Sequence, residues 1–147
     1  MEILTRKGEK ILIDDEDYDL VKGYTWFVHR GYATSTTSDK RTILMHRIIM
    51  QTPKGMKTDH RDLDRLNNRR SNIRICTTAQ NAYNRGANKK KVLPKCVYFD
   101  KESRRLYVRI TFEGRDINLG RFETEVEAVA AYNKAVLKYH GEFAFLQ

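Results

Sequence analysis

The sequence predicts an α+β protein: short N-terminal β-strands, a central hairpin followed by a helix, and a three-stranded antiparallel sheet packed on one C-terminal helix. Three observations carry that expectation. Residues 10–45 hold four short runs rich in β-branched and aromatic residues, separated by polar or Gly-containing turns. Residues 106–119 alternate strictly between apolar and polar around Gly114. Residues 124–141 carry a helical repeat between a capping box and a glycine stop.

The N-terminal runs are Lys10 to Ile13, Thr25 to His29, Tyr32 to Thr36 and Thr42 to Met45. Asp14 to Asp19 is acidic and either starts a short helix or forms a loop. Tyr24, Trp26, Phe27, Tyr32 and His29 are expected in core packing rather than in base stacking. In the centre, Thr58 to His60 reads as a strand, Arg61 to Ser71 as a long polar loop and Asn72 to Cys76 as the return strand. Thr77 or Thr78 then caps a helix running to about Arg85.

The polar, cationic stretch around Lys89 to Lys95, with Pro94, cannot bury enough apolar surface to offset ordering and reads as a linker. Beyond it, Val97, Phe99, Leu106, Val108, Ile110, Phe112, Ile117 and Leu119 form the inner sheet face. Thr124 with Glu127 caps the last helix, and Val126, Val129, Ala130, Asn133, Val136 and Leu137 recur at helical spacing until Gly141. The expected divisions are therefore 1–45 (β-rich extension), 46–88 (central unit), 89–95 (linker) and 96–147 (C-terminal unit).

A chain of 147 residues suffices for one ordinary domain or two small ones. No apolar run approaches the roughly 18 residues a bilayer requires, and no secretory signal opens the chain, so a soluble cytoplasmic protein is expected. Cys76 and Cys96 alone provide neither a disulfide framework nor a four-Cys zinc site. Residues 1–45 hold 7 Lys and Arg against 8 Asp and Glu, residues 46–91 hold 12 against 3, and residues 92–147 hold 9 against 8. Essentially all of the net +9 thus lies on the central third, the pattern of a surface that binds a polyanion.

That third contains Thr58-Asp59-His60, then Asn72-Ile73-Arg74, then Gln80-Asn81. A carboxylate and an amide oxygen can hold a hard divalent ion, an adjacent His can take a proton from water, and surrounding Lys and Arg can receive a phosphodiester. These are the parts of a metal-dependent nuclease.

Leu44-Met45-His46-Arg47, Pro53-Lys54-Gly55, Asp59-His60, Asn67-Asn68, Ser71-Asn72-Ile73-Arg74 and Gln80-Asn81 together resemble the HNH endonucleases found as phage-type homing enzymes, over about residues 40–88. The resemblance implies a ββα-metal fold in which Asp59 and Asn81 ligate one divalent ion, His60 is the general base and Asn72 orients His60 through its amide. The last family position is often His; Asn81 still offers an oxygen, which suits Mg2+ or Mn2+. His46 is expected to pack structurally beside the site, with a phosphate contact as its second role. Arg61, Arg65, Arg69, Arg70 and Arg74 would position the DNA backbone, with Lys89, Lys90 and Lys91 along it. The implied products are a 5′-phosphate and a 3′-hydroxyl, and one site per chain makes nicking the default for a monomer or weak homodimer. A phage-encoded enzyme of this kind would work in the host cytoplasm.

The C-terminal residues Cys96-Val97-Tyr98, Arg105 to Phe112, Asn118-Leu119-Gly120-Arg121-Phe122, Thr124 to Ala128 and Ala131-Tyr132-Asn133 resemble the APETALA2-type DNA-binding domain. That family lays its sheet in the major groove, which implies that Tyr98, Tyr107, Arg109, Thr111, Arg115 and Asn118 face double-stranded DNA. Cys96, Leu106 and Asn118 replace a Gly and two Trp of the family pattern, so base identity does not carry over. The leading expectation is a site-preferring DNA endonuclease with no small-molecule substrate and no membrane partner. Its competitor is a catalytically inactive, sequence-specific DNA-binding regulator. An RNA-binding module fits less well, because the outward sheet lacks a ring of stacking aromatics.

Overall fold

The computed structural model describes residues 1–86 and 92–147; Lys89, Lys90 and Lys91, expected along a phosphate backbone, lie outside the described residues. The chain divides into two compact units, Met1–Asn81 and Ala82–Gln147.

In the first unit, β1 (Glu2–Leu4) and β2 (Lys10–Leu12) form an antiparallel hairpin with Ile3 opposite Ile11. The acidic stretch that follows is a 3-10 turn over Asp15–Asp17 leading into α1 (Tyr18–Val21). β3 (Phe27–His29), β4 (Tyr32–Thr36) and β5 (Thr42–Leu44) make an antiparallel sheet in the order β3-β4-β5. Arg30 and Gly31 join β3 to β4 with φ of 50° and 79°, the paired positive dihedrals that match a two-residue turn to strand twist. The fourth apolar run ends as a strand at Leu44 and continues as α2 (Met45–Ile49), whose ends Met45 and Ile49, one turn apart, are both buried. β6 (Lys57–His60) and β7 (Ile73–Cys76) then pair antiparallel, and α3 (Thr78–Tyr83) follows, its last two residues, Ala82 and Tyr83, belonging to the second unit.

The core of this unit is Ile11, Ile13, Val21, Trp26, Ala33, Met45, Ile49 and Ile73. Only Ile73 comes from the β6–β7 hairpin, so the composition boundary near residue 45 does not separate compact units. A two-stranded hairpin whose buried apolar residues are Ile73 and Cys76 cannot hold itself together and needs the preceding residues as its core. Trp26 is buried with Nε1 donating to the Val21 carbonyl (3.0 Å), as expected of a core aromatic. Tyr24 and Phe27, expected beside it, are instead 40 % and 41 % exposed.

In the second unit β8 (Val97–Asp100), β9 (Arg105–Phe112) and β10 (Arg115–Phe122) form an antiparallel sheet in the order β10-β9-β8, and α4 (Glu125–His140) packs on it. Thr124 and Glu127 form the reciprocal capping box, and Gly141 ends the helix at φ 55°. The buried stripe differs from the expected one. Ala128, Tyr132, Ala135, Val136 and His140 face the sheet, whereas Val126 and Leu137 are 80 % and 56 % exposed. Tyr132 and His140 have polar tips that mark them as surface residues in sequence, yet each tip finds a backbone acceptor: Tyr132 Oη donates to the Phe145 carbonyl and His140 Nε2 lies 3.0 Å from the Thr111 carbonyl. The His140 ring also stacks on Tyr83 at 3.8 Å.

Candidate active site

The register of β6 and β7 sets Asp59 opposite Arg74 and His60 opposite Ile73. Because successive strand residues project to opposite faces, Asp59 shares a face with Arg74, and His60 shares the other with the core residue Ile73. Arg74 Nε and Nη2 both donate to Asp59 Oδ2, at 2.9 and 2.8 Å, and both side chains are buried. Arg74, expected on the DNA backbone, is therefore the partner that keeps a buried carboxylate compensated. Arg70 is also diverted from that role. Its Nε and Nη2 donate to Asp17, which is 1 % exposed, Nη2 donates to the Ile49 carbonyl, and its backbone N–H donates to Asp14 Oδ2. A buried carboxylate demands such a cation, which explains why two of the five arginines expected on the DNA backbone, the buried Arg74 and the partly exposed Arg70, are engaged by carboxylates.

Arg61, Arg65 and Arg69 are exposed. Arg65 Cζ lies 4.6 Å over the Tyr32 ring, and its Nη1 donates to the Arg30 carbonyl. The turn between β3 and β4 thereby holds one guanidinium in place while leaving it accessible to solvent.

His60 is 4 % exposed. Its ring meets His46 edge-on at 5.0 Å and lies 6.1 Å from Tyr32, while its Nε2 is 3.3 Å from Asn68 Oδ1. Burial pushes the His60 pKa down, against the opposing pull of the Asn68 hydrogen bond and of Asp62, Asp59 and Asp64, so the imidazole is neutral near pH 7. His46 is pushed down to about 3, by burial first and then by the nearby His60 and Arg47 charges. It is buried, packs edge-on against the His60 ring, and its Nδ1 lacks a hydrogen-bond partner.

Asn72 does not face the imidazole. Its Nδ2 donates to Asp62 Oδ1 and to the Asn67 carbonyl, and its Oδ1 accepts from the Asp62 N–H. Arg61 N donates to the Asn72 carbonyl and so extends the β6–β7 ladder by one step. Strand alternation then sends the Asn72 side chain toward the Arg74 side, away from His60. The residue that reaches the ring is Asn68, which sequence reasoning quoted only as part of a motif.

Asn81, half-buried, is the fourth residue of α3. Gln80 N donates to Thr77 Oγ1 and Thr77 N donates to Gln80 Oε1, a reciprocal cap that starts the helix directly after β7. Asp59 and Asn81 thus come from elements joined through β7. Both carry oxygen donors, a carboxylate on Asp59 and an amide oxygen on Asn81. Among the described residues no group of three or more His, Cys, Asp and Glu side chains converges as metal ligands. Carboxylate and amide oxygens are donors of the chemical type that Mg2+ and Mn2+ take.

On the C-terminal sheet, the pairs Tyr98 with Tyr107 and Asn118 with Arg109, together with Thr111, share the face turned from α4. Arg115 does not belong there: it pairs with Phe112, whose phase is that of the inner residues Val108 and Ile110. Tyr98 and Tyr107 stack at 5.1 Å, with Arg109 5.8 Å over Tyr98. Asp116 pairs with Arg109 and accepts from Thr111 Oγ1, and Asp100 pairs with Arg121.

No helix among the described residues is long and apolar enough to cross a membrane. Comparison with known proteins bears on the central segment. The chain is 29 % identical over 146 residues, 94 % of its length, to a protein of Acanthamoeba polyphaga mimivirus named as the uncharacterized HNH endonuclease L560, 74 % of which is covered. No solved structure matches the chain. Residues 44–83, which hold Asp59, His60, Asn72 and Asn81, match the family described as HNH endonuclease, and with the viral relative this supports a nuclease.

Proposed function

We propose that this chain is a metal-dependent endonuclease that hydrolyses phosphodiester bonds in double-stranded DNA, nicking one strand per active site in the manner of homing enzymes, with sequence preference supplied by the C-terminal sheet. The observation that carries this reading is a buried, neutral His60 next to Asp59 on β6, inside the segment that matches the HNH family.

Asp59 and Asn81 would hold the divalent ion, Mg2+ before Mn2+, on oxygen donors. When bound, the ion would supply Lewis acidity to the phosphodiester. His60 accepts the proton of the attacking water, a role worth about 10²- to 10⁴-fold. Arg74 keeps Asp59 compensated and oriented, and Arg61, Arg65 and Arg69 receive the DNA backbone. The products are a 5′-phosphate and a 3′-hydroxyl. On the C-terminal sheet, Tyr98, Tyr107, Arg109, Thr111 and Asn118 offer the donors and rings of a groove-reading face.

The test is nicking of supercoiled plasmid with and without Mg2+, for the wild-type protein and His60→Ala. The expected result is Mg2+-dependent nicking that His60→Ala abolishes while duplex affinity stays within about twofold. Equal loss of both makes His60 structural. Tight duplex binding by the wild type with no nicking in Mg2+ or Mn2+ favours the inactive regulator, a reading to which the compensated Asp59–Arg74 pair lends support.

A further inference from the structure

We infer that Asn68 is the positioning residue for His60, fixing which ring nitrogen accepts the proton, and that β2 belongs to the catalytic machinery because it holds Asn68 in place. The inference rests on His60 being the general base.

The hydrogen-bond directions settle the orientation of the Asn68 amide. Asn68 Nδ2 donates to the Leu66 carbonyl at 3.1 Å, and a carbonyl can only accept. The oxygen Oδ1 is therefore the atom turned to the ring, 3.3 Å from His60 Nε2. Oδ1 in turn can only accept, so Nε2 carries the hydrogen and the lone pair of the neutral imidazole resides on Nδ1. Reversing the amide would set oxygen against the Leu66 oxygen and lose that bond. Asn68 is fully buried, so water does not compete for these contacts.

The amide is held from the N-terminal side. Asn68 N donates to the Leu12 carbonyl at 2.7 Å, and Leu12 N donates to the Leu66 carbonyl at 2.9 Å, a parallel bridge between Leu12 and Asn67. Leu12 is flanked by Ile11 and Ile13, both with no exposed surface, so the clamp is built on the core of the unit. Asp14 and Asp17 secure the next stretch of the same loop through Arg70. The strand β2, the loop 66–70 and His60 thus form one continuous chain of contacts. Residues before position 45 set the geometry of a base that lies far along the sequence.

The test is imidazole NMR on the isotope-labelled full chain, with His60 signals assigned against His60→Ala, combined with steady-state nicking kinetics. The wild-type protein should show His60 with its hydrogen on Nε2; a hydrogen on Nδ1 overturns the inference without need of any variant. Asn68→Ala should mix the tautomers, lower the pH at which His60 titrates and reduce kcat by about 10- to 100-fold with little change in KM. Asn68→Asp should instead raise that titration and move the acid limb of the pH–rate profile upward. Variants that lose only thermal stability, with the His60 tautomer and titration unchanged, make Asn68 a loop brace and overturn the inference. If the tautomer and titration shift while nicking is untouched, the base assignment of His60 fails instead.

Discussion

Asp59 and His60 are neighbours in the chain but occupy opposite faces of a two-stranded ribbon, and that separation gives them different chemistry. Asp59 is paired with the buried Arg74, whereas burial on the core side of the ribbon lowers the His60 pKa and keeps the imidazole neutral. The stability of the fold should follow from the second fact. The folded pKa values of His60 and His46 lie below the unfolded histidine value, to about 3 for His46, so between the folded and unfolded values the unfolded chain binds more protons. Stability is then fully present above about pH 6.5 and lost as pH falls through that window, by at most about 1.4 kcal/mol per pH unit for each histidine. Urea unfolding midpoints between pH 7.5 and 4.5 check the sign, and a His46→Gln variant with a flatter dependence would identify one contributor. The residue types of the proposed site were legible because Asp, His and Asn recur at spacings that resemble the HNH pattern. The identity of the Asn that reaches His60 was not, since Asn68 and Asn72 differ only in which way the loop turns them.

At the scale of elements, the loop 61–72 is held less by its own sequence than by what it docks on. Arg70 spans from that loop to Asp17 in the 3-10 turn, and Asp17 is 1 % exposed with its carboxylate oxygens committed to the guanidinium. Removing one partner of such a pair leaves a buried charge. Arg70→Ala should therefore destabilise the protein by about 3 kcal/mol, whereas the exposed Arg69→Ala should change stability by no more than about 0.5 kcal/mol and act on DNA affinity alone. Thermal melts paired with duplex binding separate the two outcomes; similar melting losses from both would show that the pair with Asp17 is not what anchors the loop. Strand positions were readable from alternation and β-branched residues, and the start and stop of α4 from Thr124, Glu127 and Gly141. The buried face of α4 was not, because it uses Tyr132 and His140, whose burial is tolerable only where the Phe145 and Thr111 carbonyls wait for them.

Across the whole molecule, the positive charge of the central third exceeds what its surface displays, since Arg70 and Arg74 are spent on Asp17 and Asp59. The C-terminal face is likewise partly neutralised, with Asp116 on Arg109 and Asp100 on Arg121. Such pairing orients a guanidinium at the cost of raw attraction, which suits the sequence-reading role proposed for this face. Arg109→Ala should broaden the distribution of nicking sites on a randomised duplex library while slowing total nicking by less than about fivefold. Unchanged sites and rates would remove the sheet as the reader. The sequence by itself determined the strands of the C-terminal sheet, both ends of α4, the resemblance to the HNH residue pattern and the concentration of cationic residues, because these depend on local periodicity and on side-chain chemistry. Only the tertiary structure decided that residues 1–45 build the core beneath the β6–β7 hairpin, that Asn68 meets His60, and which arginines remain available to DNA. Those outcomes depend on burial and on hydrogen-bond direction, and both are set by residues far apart along the chain.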